Sequence, residues 1–299
     1  MLKAFVRNSF FFWMGLGFLA LSRVKYMLKG YSSPKPFGMD DLDKCIAYDM
    51  QVVDHWLQQL EKYTQGNVTI TNQAVLELGP GSDLGTGLYL LAKGCKKYMA
   101  ADVNNLVAAT PPAFYHRLIE KLTQAGYQNL QWIEAAMQAA QAGQPGPMHF
   151  VATKDFDLVK AFGTQVATLV FSQAAFEHFD DIESSFAQLS QVCKAGTSLI
   201  AEVDLQTHSR WIRDADPNNI YRYPQWVYRL FWFSGSPNRK RPADYKRALE
   251  NHGWRNVQII PLKQDLRFLK NRRGLSATFK GEVNQMQILT MMLCATKAS

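Results

Sequence analysis

Strand and helix signals alternate along the middle of the chain, and this alternation limits the fold more than any other feature. Short apolar runs at 74–78, 97–103 and 167–171 read as strands, and each is followed by a segment with helical spacing of apolar residues. Strands joined through helices form parallel pairs, and the helices then cover both faces of the sheet. The sequence therefore predicts an α/β fold with a mostly parallel sheet.

Composition and periodicity divide the chain into consecutive segments. They are an apolar arm and turn-rich linker (1–40), a helical lead-in (41–73), the alternating core (74–205), an insertion rich in Trp, Tyr, Arg, Asn and Pro (206–242), and a last helix with strands (243–299). Residues 135–147 are rich in Ala, Gln, Gly and Pro and are expected to form a loose connection. We expect one domain from 41 to 299, preceded by the arm.

The overall composition excludes several classes of protein. With 47% hydrophobic and 19% charged residues, the chain reads as globular and not as disordered. The four cysteines are far apart and form no C-x-x-C pair, so a disulfide framework is not expected and a reducing compartment fits best. The formal net charge of +8 indicates either an anionic partner or simply a basic surface.

The first 29 residues carry an apolar stretch between basic residues. Asn8 to Ser22 contains 15 uncharged residues, fewer than the roughly 17–25 that a membrane-spanning helix needs. The pattern imitates a signal peptide, but Arg23, Lys25 and Lys29 follow at once, as in an anchor on anionic lipid. We expect an interfacial anchor or a hydrophobic lid, and a helix buried on the main domain is the alternative.

A glycine-rich turn follows the first predicted strand, in Glu77-Leu78-Gly79-Pro80-Gly81. Glycines at such a turn let the backbone approach a ligand closely. A dinucleotide fingerprint would need a glycine at position 84, which is leucine, so NAD is disfavoured. Asp102 ends the second predicted strand, where a carboxylate can accept hydrogen bonds from ribose hydroxyls or cap the next loop.

Two segments resemble class I S-adenosylmethionine-dependent methyltransferases. The turn at Glu77 is similar to their first motif, E/D-x-G-x-G-x-G, with Asp83 in place of the third glycine. The segment 171–179 is similar to their S-N-x-x-x-E-H segment, which ends here in Glu177-His178. Over about residues 70–265 the chain further resembles bacterial methyltransferases of surface-polysaccharide and other glycoconjugate pathways.

This resemblance implies a Rossmann-like sheet of seven strands whose last strand, near Met286 to Ala295, runs antiparallel. It implies S-adenosyl-L-methionine as the cofactor and a small molecule or a glycoconjugate as the acceptor. Because that cofactor is intracellular, we expect a cytoplasmic protein, with residues 1–29 at the inner face of the membrane. No metal is expected. The residues implied to hold the cofactor are Glu77, Gly79, Gly81, Asp102, Val103, Asp155, Phe156, Ser172 and Gln173.

Two histidines are candidates for handling the proton of an acceptor hydroxyl, because imidazole accepts protons well near neutral pH. His208 follows the fifth predicted strand and is the first candidate for the general base, with His178 second. Within the aromatic insertion, Arg210, Arg239 and Arg241 are predicted to bind the acceptor, since arginine binds phosphate and carboxylate. The alternative is that the aromatic residues of the insertion form a small core of their own.

Three other functions fit the same residues. An acceptor soluble in lipid is favoured by the apolar arm. Methylation of RNA would require binding that weakens steeply with salt, and nucleic acid is the least expected partner. The departure at Asp83 would also suit a module that binds the cofactor without catalysis.

Overall fold

The structure is a computed structural model that describes residues 2–30, 41–128 and 130–298. Most of the predicted linker, residues 31–40, lies outside them. The helices are α1 (Leu2–Lys29), α2 (Leu42–Thr64), α3 (Gly85–Ala92), α4 (Pro112–Gln124), α5 (Gln131–Gln141), α6 (Leu158–Phe162), α7 (Ile182–Val192), α8 (Arg210–Arg213), α9 (Gln225–Leu230), α10 (Pro242–Asn251) and α11 (Arg267–Lys270). The strands are β1 (Ala74–Leu78), β2 (Lys97–Asp102), β3 (Met148–Ala152), β4 (Ala167–Gln173), β5 (Cys193–Asp204), β6 (Trp254–Gln264) and β7 (Ile288–Lys297).

All seven strands form one sheet in the order β3-β2-β1-β4-β5-β7-β6. The pairs from β3 to β5 are parallel, and β7 runs antiparallel to both of its neighbours. The chain moves outward from β1 to β3 and then returns to β4 on the other side of β1. The carboxyl ends of β1 and β4 therefore flank a topological switch point, where α/β proteins bind ligands. This Rossmann-like sheet with its antiparallel last strand confirms the predicted fold class.

Apolar side chains alternate across the sheet and build a core on each face. In β1, Val75 packs into a cluster with α2, α3, α4 and α5, whereas Leu76 packs into a cluster with α6, α7 and α10. Helix α2 is held on its face by Trp56, which stacks on Phe171 of β4 with ring centroids 5.0 Å apart. Both faces are thus covered, as the alternation of strands and helices predicts.

The expectation of a loose connection at 135–147 is wrong for most of that segment. Helix α5 continues to Gln141 and buries Ile133, Ala136 and Met137 against the core. Alanine and glutamine are good helix formers, whereas the glycines and prolines of the segment come only after Ala142. The composition of the whole segment does not predict the helix, because helix formers and helix breakers both occur in it.

Helix α1 has 28 residues, which is longer than its uncharged stretch suggested. From Phe5 to Lys29 it is the one helix within the described residues that is long and apolar enough to span a membrane, by length and composition alone. One face of α1 packs through Phe12, Leu16 and Leu19 on a third core cluster. The alternative of a small core in the insertion is confirmed only in part, because Trp211, Trp226 and Trp232 are exposed and part of the cluster comes from beyond residue 242. The buried members of the cluster are Ile220, Tyr221, Tyr223, Val227, Tyr228, Leu275, Phe279 and Met286.

Polar contacts fix α1 on this cluster. The Asn219 side chain donates to the carbonyl of Phe11 at 2.8 Å, and the Tyr223 hydroxyl donates to the carbonyl of Phe12 at 3.0 Å. Gly15 faces the same two side chains, and a Cβ there would collide with both. The absence of a side chain at this position allows the close approach of the helix.

Candidate active site

A cavity of about 480 Å³ opens at the carboxyl ends of β1, β2, β3 and β4. It lies at the switch point of the sheet, where the fold predicts a ligand site. We call it the larger cavity, to distinguish it from a smaller one described below. Most of the predicted cofactor residues line it: Gly79, Gly81, Asp102, Val103, Asp155, Phe156 and Gln173.

The glycine turn forms one wall of the larger cavity. Gly79 and Gly81 have φ angles of +72° and +79°, a region that strains any side chain. A Cβ at Gly79 would stand 2.5 Å from the Cβ of Ala175, whereas the space beside Gly81 is open. The Asp102 carboxylate accepts from the backbone N–H of Gly81 at 3.4 Å and of Asn104 at 2.9 Å. Asp102 therefore caps the turn and lines the cavity, and burial raises the pKa of its carboxyl.

Other lining residues of the larger cavity combine strained backbone with an unpaired acceptor. Phe156 and Ala174 both have left-handed φ angles without being glycine, at +50° and +48°, and such strain concentrates at functional sites. The Phe156 ring lies 4.9 Å from that of Phe179. The side-chain oxygen of Gln173 is buried and has no hydrogen-bond partner within the described part of the chain. Such a group is expected to meet a donor on a ligand or a water.

Two of the predicted cofactor residues do not line the larger cavity. The buried Glu77 carboxylate accepts from the hydroxyls of Tyr98 at 2.6 Å and Thr86 at 2.7 Å. The buried Ser172 hydroxyl donates to the carbonyl of Leu78 at 2.9 Å. The structure corrects the prediction for Glu77 and Ser172, because both side chains support the turn from behind.

A smaller cavity of about 160 Å³ adjoins the larger one, and His178 and Gly235 line both. Its first wall is α1, through Gly15, Phe18, Leu19 and Ser22. Its other walls come from residues 207–212 and from the insertion, including Tyr228, Phe231 and Phe233. His208 lines this smaller cavity, so the structure brings both predicted histidines together.

Glu177, His178 and His208 form a cluster beside the smaller cavity, which we name the EHH cluster. His178 and His208 line that cavity, whereas Glu177 is buried behind them. The short helical turn Phe176–His178 follows β4, and His208 follows the neighbouring β5. The two imidazole rings meet edge to face at 4.7 Å, and His208 Nε2 lies 3.9 Å from Glu177 Oε1. Burial lowers the pKa of His178, and it lowers the pKa of His208 to about 4 with a further contribution from His178. Burial and then Asp204 raise the pKa of Glu177 well above its ordinary value.

Two of the three predicted acceptor-binding arginines are structural. Arg241 is fully buried and donates to the carbonyls of Asn284, Gln285 and Ile288 at 2.8–2.9 Å. Arg239 is also buried, donates to a backbone carbonyl at 3.0 Å and lies over the Tyr228 ring at 4.5 Å. Neither lines the larger or the smaller cavity, which corrects the prediction for both. Arg210 is exposed at the start of α8, and its role stays a prediction.

Sequence reasoning missed three parts of the site. Glu177 was noticed within its motif but not as a site residue, although its place beside His178 was a usable signal. The turn at 233–237 joins the site from a distant part of the chain, so no local pattern marks it. Phe179 packs against Phe156, and its position in the sequence does not indicate that it belongs to the site.

No protein-family model matches the chain, and no curated protein is similar to it in sequence. The solved structures that align with it include the CurJ carbon methyltransferase, with a TM-score of 0.49 and 14% sequence identity. That alignment covers 95% of this chain and 66% of the other chain. Phosphoethanolamine N-methyltransferase 2 of Haemonchus contortus, in complex with S-adenosyl-L-methionine, aligns with a TM-score of 0.47 and 12% sequence identity. The alignment covers 82% of this chain and 53% of the other chain. Geranyl diphosphate methyltransferase with SAM has TM-score 0.46, 14% identity, and 85% of each chain. The chain thus spans less than two thirds of the first two proteins, and likeness at this level carries no argument about its activity.

Proposed function

We propose that this chain is an S-adenosylmethionine-dependent methyltransferase that methylates a hydroxyl group of an amphipathic acceptor. The observation that carries the proposal is the meeting of two cavities at His178. Group transfer between two bound molecules requires two sites that open onto each other. The sequence motifs support the same proposal, because the glycine turn, Asp102 and the Glu177-His178 segment all border these cavities.

The larger cavity fits the cofactor by the chemistry of its walls. Asp102 offers carboxylate oxygens to ribose hydroxyls, and Phe156 offers a ring beside which adenine can pack. The unpaired oxygen of Gln173 can accept from the ammonium group of the cofactor's methionine part. When bound, the cofactor supplies a methyl group on a positively charged sulfur. The open space beside Gly81 leaves room for a ligand to lie close to the backbone.

The smaller cavity is proposed to hold the reacting end of the acceptor. Its walls are mostly apolar, and His178 and His208 add polar atoms to them. Of the two histidines, His178 also lines the larger cavity. Its volume of about 160 Å³ suits a compact group and not a whole glycoconjugate. The acceptor hydroxyl would lie at the EHH cluster, where its proton is released. Arg210 and Trp211, both exposed just after His208, suit a sugar or phosphate headgroup outside the cavity.

The exposed face of α1 favours an acceptor that is presented at a membrane. Seven of the exposed residues of α1 recur every three or four positions, so they form one stripe along the helix. All of them except the glycine are apolar. The stripe consists of Val6, Phe10, Trp13, Gly17, Leu21, Val24 and Leu28. Arg7, Lys25 and Lys29 are exposed near its two ends, where they suit anionic lipid headgroups.

The opposite face of α1 is attached to the domain over most of its length. Arg222 donates to the side chain of Asn8 at 3.1 Å, and the Tyr26 ring stacks on Phe233 at 4.4 Å. A helix held in this way, with its apolar stripe outward, lies in the plane of a membrane surface instead of crossing the bilayer. We therefore propose a peripheral protein on the inner, anionic face of a membrane, with a lipid acceptor that carries a sugar or phosphate headgroup.

Calorimetry with S-adenosylmethionine and with S-adenosylhomocysteine tests the proposal first. One binding site per chain is expected, and a folded chain that binds neither compound would exclude it. Release of S-adenosylhomocysteine is then measured with lipid extracts in vesicles, water-soluble glycoconjugates and RNA. The lipid extract is the expected substrate, whereas turnover with RNA that falls steeply with salt would replace the lipid proposal.

A further inference from the structure

We infer that the EHH cluster is a binding site for a divalent transition-metal ion, with Glu177, His178 and His208 as its ligands. The site would hold the oxygen of the acceptor between the two cavities. Only this role of the ion rests on the proposed methyl transfer. The inference departs from the metal-free site expected from the sequence, and it stands on the geometry of the three side chains.

Both histidines are held in the form that can bind a metal through Nε2. His178 Nδ1 lies 2.6 Å from the carbonyl of Gly235, and His208 Nδ1 lies 3.1 Å from the carbonyl of Gln206. A carbonyl oxygen can only accept, so each Nδ1 carries a proton and donates it. In a neutral ring the lone pair is then on Nε2. Metal-binding histidines typically donate their other N–H to a backbone carbonyl in this way.

The second line of support is that the Glu177 carboxylate is buried without a partner among the described residues. Its side chain is only 3% exposed, and neither carboxylate oxygen has a hydrogen-bond partner within the described part of the chain. One of these oxygens lies 3.9 Å from His208 Nε2. That separation is too long for a direct hydrogen bond. A buried carboxylate without a partner is costly, and a cation between these atoms would remove the cost.

The spacing suits a metal ion after a small contraction. One ligand atom from each of the three side chains lies within 4.8 Å of the other two. Ligand atoms about 2.1 Å from a tetrahedral ion stand roughly 3.4 Å apart, so the cluster would close by about an ångström on binding. Two imidazoles and one carboxylate favour zinc, iron, cobalt or nickel over magnesium or calcium. Three protein ligands leave a coordination position open for a ligand.

The surrounding charges favour a cation. Asp204 and Glu202 both act on the Glu177 carboxyl as negative charges. Asp204 pairs with Arg213 at 2.6 Å, and Glu202 lies 3.6 Å from His55. Three carboxyl groups thus lie in this region, and Arg213 pairs with one of them. A divalent ion would lower the pKa of a hydroxyl bound at its open position, so that the hydroxyl proton leaves to water.

The test uses the full chain without a histidine tag, first treated with a chelator and then titrated with Co²⁺ and with Zn²⁺. We expect one ion per chain and visible cobalt bands of a four- or five-coordinate nitrogen–oxygen site. Glu177→Gln and His208→Asn should each weaken the affinity at least tenfold, a scale that even outer-shell partners reach. His252→Asn is the matched control, because His252 forms a His–Glu pair with Glu183 at 2.9 Å outside the cluster, and it should bind normally.

A wild-type chain that binds no Co²⁺ at millimolar concentration, or that gives the spectrum of hexaaqua cobalt, overturns the inference. So do Glu177→Gln and His208→Asn variants that bind as tightly as the wild type. The wild-type spectrum decides the matter if the variants do not fold. Calorimetry with S-adenosylmethionine on the same samples separates the two proposals. Cobalt bound in the expected pattern without cofactor binding would exclude the methyltransferase and leave the metal site standing.

Discussion

The hydroxyl of Tyr98 donates a hydrogen bond of 2.6 Å to the carboxylate of Glu77 inside the core. Tyr98 is in β2 and Glu77 in the neighbouring β1, where its register partner is Ala100. The acidic residue that opens the glycine turn therefore joins two strands and, through Thr86, the helix that follows the turn. Its contribution to ligand binding is indirect, because it fixes the backbone that borders the larger cavity.

Tyr98→Phe should destabilise the protein more than it weakens cofactor binding. The substitution removes one donor from a buried carboxylate, which costs about 1–3 kcal/mol of unfolding free energy. Urea denaturation measures the loss, and calorimetry with S-adenosylmethionine measures the affinity of the folded chain. Tyr127→Phe is the control, since the hydroxyl of Tyr127 makes a long contact of 3.5 Å and its loss should be nearly neutral. A large loss of affinity without a loss of stability would give Glu77 the direct role that the motif implied.

Asp102→Ala should weaken cofactor binding. Loss of a partly buried acceptor leaves ligand hydroxyls unpaired, which costs about 1–3 kcal/mol, or roughly five- to 150-fold in affinity. Calorimetry measures the change, and circular dichroism checks that the variant is folded. Asp43→Ala is the control because Asp43 pairs with Arg117 on the surface at 2.9 Å and lines neither of the two joined cavities. Equal affinities of the folded Asp102→Ala chain and the wild type would contradict the cofactor site.

Gly15→Ala and Gly17→Ala should have opposite effects on stability. Alanine is favoured over glycine inside a helix by about 1 kcal/mol, so Gly17→Ala, with open space around it, should stabilise the protein. At Gly15 the added methyl group would collide with Asn219 and Tyr223, and overpacking costs typically about 1–3 kcal/mol. Thermal denaturation measures the stability of both variants, and limited proteolysis at the end of α1 measures how firmly the helix is held in each. Equal stabilisation by the two substitutions would show that α1 does not pack on the insertion.

Leu21→Glu should reduce binding to anionic vesicles. Leu21 lies in the middle of the exposed stripe at 64% exposure, and burial of a leucine in lipid is worth about 1.5–3 kcal/mol, or roughly tenfold or more in binding. Vesicle flotation at low salt measures this change, while cofactor affinity should stay the same. Leu262→Glu places the same charge on an exposed leucine of β6, outside α1, and should bind as the wild type does. Full-length protein that resists carbonate extraction would instead show that α1 crosses the bilayer.

The sheet could be predicted because each of its strands is a local pattern. Ala74–Leu78 and Lys97–Asp102 were placed almost to the residue, since apolar runs of this length end at glycine or at a charged residue. Helix α5 does not follow from the overall composition of 135–147, because its alanine-rich end is directly followed by the glycines and prolines of the same segment.

The direction of a side chain could not be predicted from a motif. Ser172 and Gln173 are neighbours in β4, yet only Gln173 lines the larger cavity, because successive side chains point to opposite faces of a strand. Arg241 looked available for a ligand because arginine is rarely buried without partners. Its partners are carbonyls more than 40 residues further along the chain, and no local pattern reveals them.

The contact between Asn219 and the carbonyl of Phe11 joins residues 208 positions apart. At about 5–20 residues per second on the ribosome, the surface that receives α1 is made roughly 10–40 seconds after the helix itself. During that interval the surface of the domain that receives α1 has not yet been made. In the membrane-bound arrangement proposed above, targeting of the helix would therefore precede the formation of the smaller cavity.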